Sequence, residues 1–217
     1  RDPEMSRGLG DVYKRQVLKY VETDSLLEVR RIQSEILQGY DLDFSKHAPK
    51  EQVPRVRMVW NSIPSQLFKE NKKFIYGALR KGARANDFEM AIQWLVNAGL
   101  LYKVPRCTKP ELPLDIYEDL SAFKLYMVDL GLRNHILPRK RYDLGFSIEN
   151  IVFFELLRRG NKVNIGKYGA TEVDFVAQKQ GVIVYYQVTA DMTAEETFER
   201  EMRPLQAVSY THLRAHE

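Results

Sequence analysis

The first part of the chain alternates between apolar stripes at helical spacing and short polar segments. Ser25 and Glu28 have the spacing of a capping box, and Asp24 is an equally good cap, so a helix is predicted to begin at this point. Its apolar stripe comprises Leu26, Val29, Ile32, Ile36, Leu37 and Tyr40. The polar stretch 41–49 predicts a connection to a second helix, which starts near Lys50 and ends at Pro64, because proline interrupts helical hydrogen bonds.

Two further helices and two strands are predicted next. A short helix follows over residues 64–71. A stronger helix runs from Asp87 to Gly99, since glycine readily adopts the left-handed conformation that closes many helices. Strands are predicted over residues 100–104 and 123–128. Three short helices followed by two strands are the element order of a winged helix-turn-helix.

The second half of the chain predicts one helix, three strands and a final helix. The predicted ranges are 146–160 for the first helix, 162–165, 171–177 and 182–189 for the strands, and 194–205 for the last helix. A short helix and a basic turn precede them, so residues 131–143 are predicted to form a basic linker.

The turn between the last two strands fixes which side chains lie together. Gln180 and Gly181 predict a two-residue hairpin turn. That turn sets Asp174 opposite Gln187, on the same face as Glu172, because side chains alternate along a strand. Glu149 is one turn into the preceding helix and is expected to overhang this face.

Composition is that of an ordinary globular protein. The 217 residues are 44% hydrophobic and 29% charged, which excludes collagen-like and wholly disordered chains. An α+β fold is predicted, with a helical winged-helix segment over 17–130 and a small α-β-β-β-α module over 144–208. No run of about 18 apolar residues occurs, so no membrane contact and a cytoplasmic location are predicted. The single cysteine, Cys107, cannot form an intramolecular disulfide or a thiolate zinc cage.

Positive charge is concentrated in the predicted winged helix. Residues 52–86 contain eight lysines and arginines against one acid, Glu70. Such a segment attracts the phosphate backbone of nucleic acids through counterion release. The residues predicted to contact nucleic acid are Lys72, Lys73, Arg80, Lys81 and Arg84. One alternative interpretation is a solvated helical surface in a mildly basic protein, and another is a winged helix that docks a protein.

The second module resembles the core of PD-(D/E)XK nucleases. In that core a helix Glu, a strand Asp and an acidic residue two places before a Lys gather a divalent metal and a water. Glu149 and Asp174 match the first two positions. The third element is Gln187-Val188-Thr189, so one carboxylate and the lysine are missing. We therefore expect that this module does not hydrolyse phosphodiesters.

Two alternatives remain open for this module. One is a Mg²⁺-dependent nuclease, in which Glu172 restores a carboxylate and Lys167 or Lys179 swings in as the cation. The other is a pure protein-interaction module that uses the sheet as a docking platform. Neither His47 nor His135 has a partner at metal-ligand spacing, and Cys107 is interpreted as an inert thiol.

Long blocks of the chain resemble the C-terminal part of a prokaryotic AAA+ ATPase family, in which a nuclease-like domain of unknown function follows the ATPase. The blocks that carry the resemblance are VWNSIPSQLFKENKKFIY, WLVNAGLLYKV, LPLDIYEDLSAFKLYMVDLGL, IENIVFFELLRRG, EVDFVAQKQG and YYQVTADMTAEETFEREMRPL.

The resemblance implies a recognition or regulatory fragment of a nucleotide-dependent protein. In that family ATP and Mg²⁺ would bind a P-loop upstream of residue 17. The chain itself contains no Walker A motif. No cofactor is therefore expected in the fragment itself. The implied partner is nucleic acid, another protein or the protein's own ATPase domain.

Both ends resemble translated sequencing-adapter sequence. Residues 1–16 are expected to be a non-native or disordered head, and residues 209–217 a non-native tail. The nuclease-like module is accordingly expected to be truncated and to lack a final strand that usually follows its last helix.

Overall fold

A computed structural model describes residues 14–66, 73–109, 111–137, 144–168, 171–191 and 193–214. The helices are α1 (14–23), α2 (Leu26–His47), α3 (Val53–Gln66), α4 (Ala85–Asn97), α5 (Leu130–Ile136), α6 (Leu144–Arg158) and α7 (Glu195–Arg214). The strands are β1 (Leu101–Cys107), β2 (Glu118–Met127), β3 (Lys162–Tyr168), β4 (Thr171–Lys179) and β5 (Val182–Tyr186). The predicted α+β class is confirmed.

The described chain divides into two compact units. The first contains the described residues up to Tyr102 together with 125–137. The second contains 103–124 and the described residues from 144 onward. These limits differ from the predicted ones, because most of β1 and β2 belongs with the second unit. Helix α5 belongs to the first unit rather than to a linker, and residues 138–143 of that linker lie outside the described residues.

Helix α2 begins as predicted and ends later than predicted. The Ser25 hydroxyl accepts the backbone N–H of Glu28, which confirms the cap. The helix continues to His47, so the predicted connection over 41–49 is wrong for its first seven residues. The reason is Phe44, which is buried and continues the apolar stripe. Its ring meets the rings of two tryptophans edge-on, the buried Trp60 and the half-buried Trp94.

Helix α3 passes through Pro64 instead of ending there. Pro64 lies in its last turn, where the helix continues only to Gln66. The Gln66 side chain closes this end, because its amide donates to Ser62 and its carbonyl accepts the backbone N–H of Ile75 at 2.7 Å. Most of the helix predicted over 64–71 lies outside the described residues.

Helix α4 starts two residues before the predicted Asp87. The Asp87 carboxylate accepts the backbone N–H of Arg84, so it caps the helix from inside the first turn. Gly99 has a φ of +76°, which confirms its predicted role as the helix stop.

The sheet has the order β2-β1-β3-β4-β5. β1 runs parallel to β3, with Arg106 opposite Ile165, whereas β3–β4 and β4–β5 are antiparallel. The strand pair predicted as a wing therefore lies in the sheet of the second unit. Both strands are longer than predicted, while β5 ends earlier, at Tyr186.

The predicted hairpin turn is confirmed. Gln180 and Gly181 both have positive φ, at 49° and 79°, and Lys179 pairs directly with Val182. Phe175 lies opposite Tyr186, which is the predicted register. Gly160, the last residue of the range predicted for this helix, has a φ of +79° and follows the end of α6 at Arg158.

Part of each end of the chain is helical. Residues 14–16 lie in α1, and Gln16 is buried, with its amide donating to Asp129 at 2.6 Å. Helix α7 continues past the predicted limit at 205 to Arg214, into the expected tail. Residues 1–13 and 215–217 lie outside the described residues. Within the described residues, no helix combines the length and apolar character needed to cross a membrane.

Candidate functional site

A buried lysine joins the two carboxylates that match the nuclease pattern. Lys124 lies on β2 within the run 122–127, whose six residues are all buried. Its Nζ is 3.1 Å from Oε1 of Glu149 and 3.8 Å from Oδ1 of Asp174. The side chains of Lys124, Glu149 and Asp174 are 4%, 0% and 13% exposed. The site is thus an internal ion-pair group within the second unit.

Helix α6 brings Glu149 to this group. Three polar residues near its start are buried: Ser147, Glu149 and Asn150. On the same helix, Phe153 stacks on Phe175 of β4 with ring centroids 6.0 Å apart. Apolar packing therefore fixes the helix on the sheet. A carboxylate in such surroundings requires a charged partner, and Lys124 provides it.

Asp174 and Gln187 are neighbours, as the hairpin register predicts. The backbone N–H of Asp174 donates to Oε1 of Gln187 at 3.3 Å, and the N–H of Val188 donates to Oδ2 of Asp174 at 2.9 Å. The Gln187 amide in turn donates to Glu201 of α7 at 2.9 Å. Gln187 is therefore a structural link between β4 and α7, and its carbonyl oxygen already accepts a hydrogen bond.

The other residues considered for the nuclease pattern do not join the ion-pair group. Glu172 is exposed and lies opposite Lys167 in the β3–β4 ladder. The Lys179 ammonium donates to the backbone carbonyl of Arg159 at 2.7 Å. The expectation that Lys167 or Lys179 would have to supply the cation is thus wrong, because the cation comes from β2.

The residues at this position do not fit a divalent metal ion. Mg²⁺ requires octahedral oxygen ligands at about 2.1 Å, whereas the space between Glu149 and Asp174 holds an ammonium. Two unit charges about 4 Å apart interact by about 4 kcal/mol at an effective dielectric constant near 20, and a divalent ion would be repelled by Lys124 roughly twice as strongly. Among the described residues, no three histidine, cysteine or acidic side chains are grouped to hold a metal.

Lys124 is the member of this ion-pair group that was not predicted from the sequence. A signal for it exists, because it interrupts the apolar strand segment Ala122-Phe123-Lys124-Leu125. A lysine inside an apolar strand needs an opposite charge when the strand is buried. The identity of that partner depends on tertiary contacts between β2 and residues 25 and 50 positions away.

The basic residues predicted to contact nucleic acid are partly gathered at the start of α4. Arg80, Lys81 and Arg84 are exposed there, and Lys73 is exposed earlier in the chain. Lys72 lies outside the described residues.

Asp87 offsets part of the positive charge of this basic group. Asp87 pairs with Arg80 at 3.3 Å, and the Arg80 guanidinium also lies over the Phe88 ring. The hydrogen bond from the backbone N–H of Arg84, together with the Arg80 contact, holds the pKa of the Asp87 carboxyl below its usual value. Arg80 is thus partly neutralised and held in place, while Lys81 and Arg84 extend the positive surface.

The remaining candidate side chains form local contacts. Nε2 of His135 lies 3.0 Å from the Ser34 hydroxyl, and His47 is exposed. Cys107 is buried, its thiol donates to the carbonyl of Lys109, and burial raises its pKa. A raised pKa keeps a thiol protonated and unreactive.

Residues 13–143 match a family described as a domain of unknown function (DUF8612). The chain belongs to this family. The region of DUF8612 includes the basic group and Lys124, and it ends before Glu149. A stretch of 78 residues is 44% identical to a Haemophilus influenzae protein named "Uncharacterized protein" and covers 36% of this chain. That stretch spans 19% of the length of the Haemophilus protein. No solved structure matches the chain.

Proposed function

We propose that this chain is a non-catalytic recognition module that binds nucleic acid through the first unit. The observation that carries the proposal is the group of exposed cations at the start of α4, formed by Arg80, Lys81 and Arg84. Arg80, Lys81 and Arg84 place three cations within five residues, and the Asp87 carboxylate offsets part of the charge of Arg80. Such a cluster favours contact with successive phosphates.

The second unit is, in this proposal, a nuclease-like scaffold without phosphodiesterase activity. Hydrolysis by that core would need a metal ion between Glu149 and Asp174, and the Lys124 ammonium lies between them instead. Gln187 is engaged by hydrogen bonds at both ends of its amide. These contacts support a role in holding strands and helix α7 together.

A longer protein is the proposed setting. The resemblance to an AAA+ ATPase family favours a regulatory fragment that acts beside an ATP- and Mg²⁺-binding domain in the cytoplasm. The Haemophilus protein, of which the matched stretch spans 19%, is consistent with a longer architecture. The proposed partners are therefore nucleic acid and the protein's own ATPase domain.

Binding of a fluorescent DNA duplex, followed by anisotropy over a salt series, tests the nucleic-acid proposal. The triple variant R80E/K81E/R84E should bind more weakly, and the slope of log K against log salt should fall by about 0.9 for each lost phosphate contact. A matched control reverses three other exposed lysines of the same unit, K14E/K46E/K50E. Equal loss in both variants, or no loss in either, contradicts a site at α4.

One observation favours a second candidate function, a Mg²⁺-dependent nuclease. An ammonium does lie beside Glu149 and Asp174, so β2 supplies the type of side chain that the Gln187-Val188-Thr189 segment lacks. Cleavage of plasmid DNA that rises with Mg²⁺ would support this alternative. Absence of both cleavage and salt-dependent DNA binding would favour a protein-interaction module.

A further inference from the structure

We propose that the outer face of α1 pairs with the same face of a second copy of this chain, so that the two α1 helices lie antiparallel across a two-fold axis. The pairing involves α1 and the start of α2 in the first unit. It does not depend on nucleic-acid binding at α4 or on the ion-pair group of the second unit.

Helix α1 carries apolar side chains on its outside. Leu18 and Val21, which lie one turn apart, are 57% and 74% exposed, whereas Gln16 is buried. A surface helix of a globular protein ordinarily turns its apolar side toward the core. Apolar residues also occur singly on most surfaces, but a group of them marks an interaction site. The exposed apolar residues of α1 and the start of α2 are Val17, Leu18, Tyr20, Val21, Leu26 and Leu27.

Buried polar contacts hold α1 in this orientation. The Gln16 amide donates to Asp129 at 2.6 Å, and its carbonyl oxygen accepts a hydrogen bond from Nε2 of Gln33 at 2.9 Å. Rotation of the helix to bury Leu18 and Val21 would break both hydrogen bonds, and breaking buried hydrogen bonds is costly. The apolar face therefore stays outside and is available to another molecule.

A charged stripe lies along one side of this apolar face. Arg15, Lys19 and Glu22 are four and three residues apart, so they share one flank of the helix. The cations come first and the acid comes last. That order is the reverse of the one that the helix dipole favours, in which acids lie near the start of a helix and cations near its end. The stripe therefore gains most from a partner whose charges run in the opposite order.

An antiparallel second copy supplies the opposite order. A two-fold axis places the same flank of both helices on one side of the interface, with Glu22 of each copy beside Lys19 of the other. A partner with charges of one sign would instead be attracted at one end of the stripe and repelled at the other. Identical surfaces that meet in this way form a closed dimer.

The opposite flank of α1 is apolar and suits the same pairing. A groove of about 260 Å³ lies there between α1, α2 and the start of α5, and Val17, Tyr20 and Leu26 line it. In the antiparallel pair the grooves of the two copies face each other, and Leu18 and Val21 pack between the helices. The apolar side chains leave water, which is the main driving force of association.

Sedimentation velocity of the full chain over a concentration series tests the proposal. The wild type should change from monomer to dimer as its concentration rises. In the L18D/V21D variant the dissociation constant of the dimer should rise at least about a hundredfold, because carboxylates would be buried in an apolar contact. The matched control L42D/M90D introduces the same charges at two other exposed apolar positions of the first unit, and it should dimerise like the wild type.

Exchange of charges tests the antiparallel arrangement. K19E and E22K should each weaken the dimer roughly three- to tenfold, because a surface attraction becomes a repulsion at both symmetric contacts. The double variant K19E/E22K should recover most of the lost affinity, since each copy then offers the exchanged pair to the other. Circular dichroism shows whether each variant is folded.

Each result decides the proposal in one direction. A wild type that stays monomeric overturns it, because the apolar face would then belong to another segment of the chain or to a different protein. A dimer that tolerates L18D/V21D, or one that L42D/M90D weakens equally, overturns it as well. If L18D/V21D is unfolded, the charge variants decide: recovery in K19E/E22K supports the pairing, and no recovery overturns it.

Discussion

Nζ of Lys124 lies 3.1 Å from Oε1 of Glu149, and the two side chains are 4% and 0% exposed. Both charges are thus removed from water, and the Lys124 ammonium also lies 3.8 Å from Oδ1 of Asp174. A pair of this kind contributes little net stability compared with apolar residues, but its disruption is strongly destabilising. It ties β2 to α6 and so defines the arrangement of the second unit.

Substitution of Lys124 by methionine should destabilise the chain by about 3–5 kcal/mol, because it removes the ammonium that Glu149 and Asp174 both contact. Substitution of Glu149 by glutamine should cost less, because Lys124 keeps Asp174 as a partner. The double variant K124M/E149Q should be more stable than the sum of the single effects implies. Urea unfolding of the wild type, the two single variants and the double variant gives the four free energies of unfolding. Strict additivity of the two single effects in the double variant would contradict a coupled group.

Substitution of Gly181 by alanine should cost about 1–2 kcal/mol, because its φ of +79° is unfavourable for a residue with a Cβ. An added Cβ would meet no atom within 4 Å, so the whole cost comes from the backbone. Gly39 serves as the control, since its Cβ would also meet nothing and it lies inside α2. There alanine should stabilise the chain by about 0.5–1 kcal/mol. Equal effects at both glycines would contradict the turn assignment.

Cys107 should report unfolding through its reactivity. Its thiol is fully buried, and burial raises its pKa, so alkylation requires an opening of the structure. Labelling by iodoacetamide should be at least about a thousandfold slower in buffer than in concentrated urea, as expected for a stable domain. The chain contains a single cysteine, so mass spectrometry gives one signal to follow. Labelling in buffer at the rate of an unfolded peptide would show that this part of the sheet is open.

His135 should make the first unit less stable in mild acid. Burial, with a smaller effect from Arg30, lowers the pKa of its imidazole below the usual 6.5. Nε2 of His135 lies 3.0 Å from the Ser34 hydroxyl, which donates to the Arg30 carbonyl at 3.1 Å.

Below pH 6.5 the unfolded chain binds a proton that the folded chain resists, so stability falls as the pH decreases from 6.5 through the folded pKa. The H135Q variant keeps a side chain that can form hydrogen bonds and removes this titration. Its free energy of unfolding, measured by urea at pH values from neutral to mildly acidic, should depend less steeply on pH than that of the wild type. Identical slopes would show that His135 does not contribute.

Local features of the fold were predictable from the sequence. The cap at Ser25, the stops at Gly99 and Gly160, and the turn at Gln180-Gly181 each depend on a few adjacent residues. The register of the last hairpin followed from its turn alone, and it placed Asp174 beside Gln187.

Features that depend on distant contacts were not predictable in the same way. The residues after Tyr40 are mostly polar, so a connection was predicted there. Phe44 lies among them, and its burial against Trp60 and Trp94 keeps α2 helical. The strands assigned to a wing join the second unit because β1 pairs with β3, some 60 residues later in the chain. The partnership of Lys124 with Glu149 follows from that same tertiary arrangement, and no local pattern specifies it.

Incubation of supercoiled plasmid with the purified chain and Mg²⁺ or Mn²⁺ tests the central claim most directly, with D174A as the reference. Because Lys124 lies where a metal ion would be needed, the wild type should produce no more nicked or linear DNA than D174A, at any metal concentration. The contrary result is nicking that rises with the metal concentration, stops when a chelator is added and is lost in D174A. That result would show that Glu149 and Asp174 form a working nuclease centre.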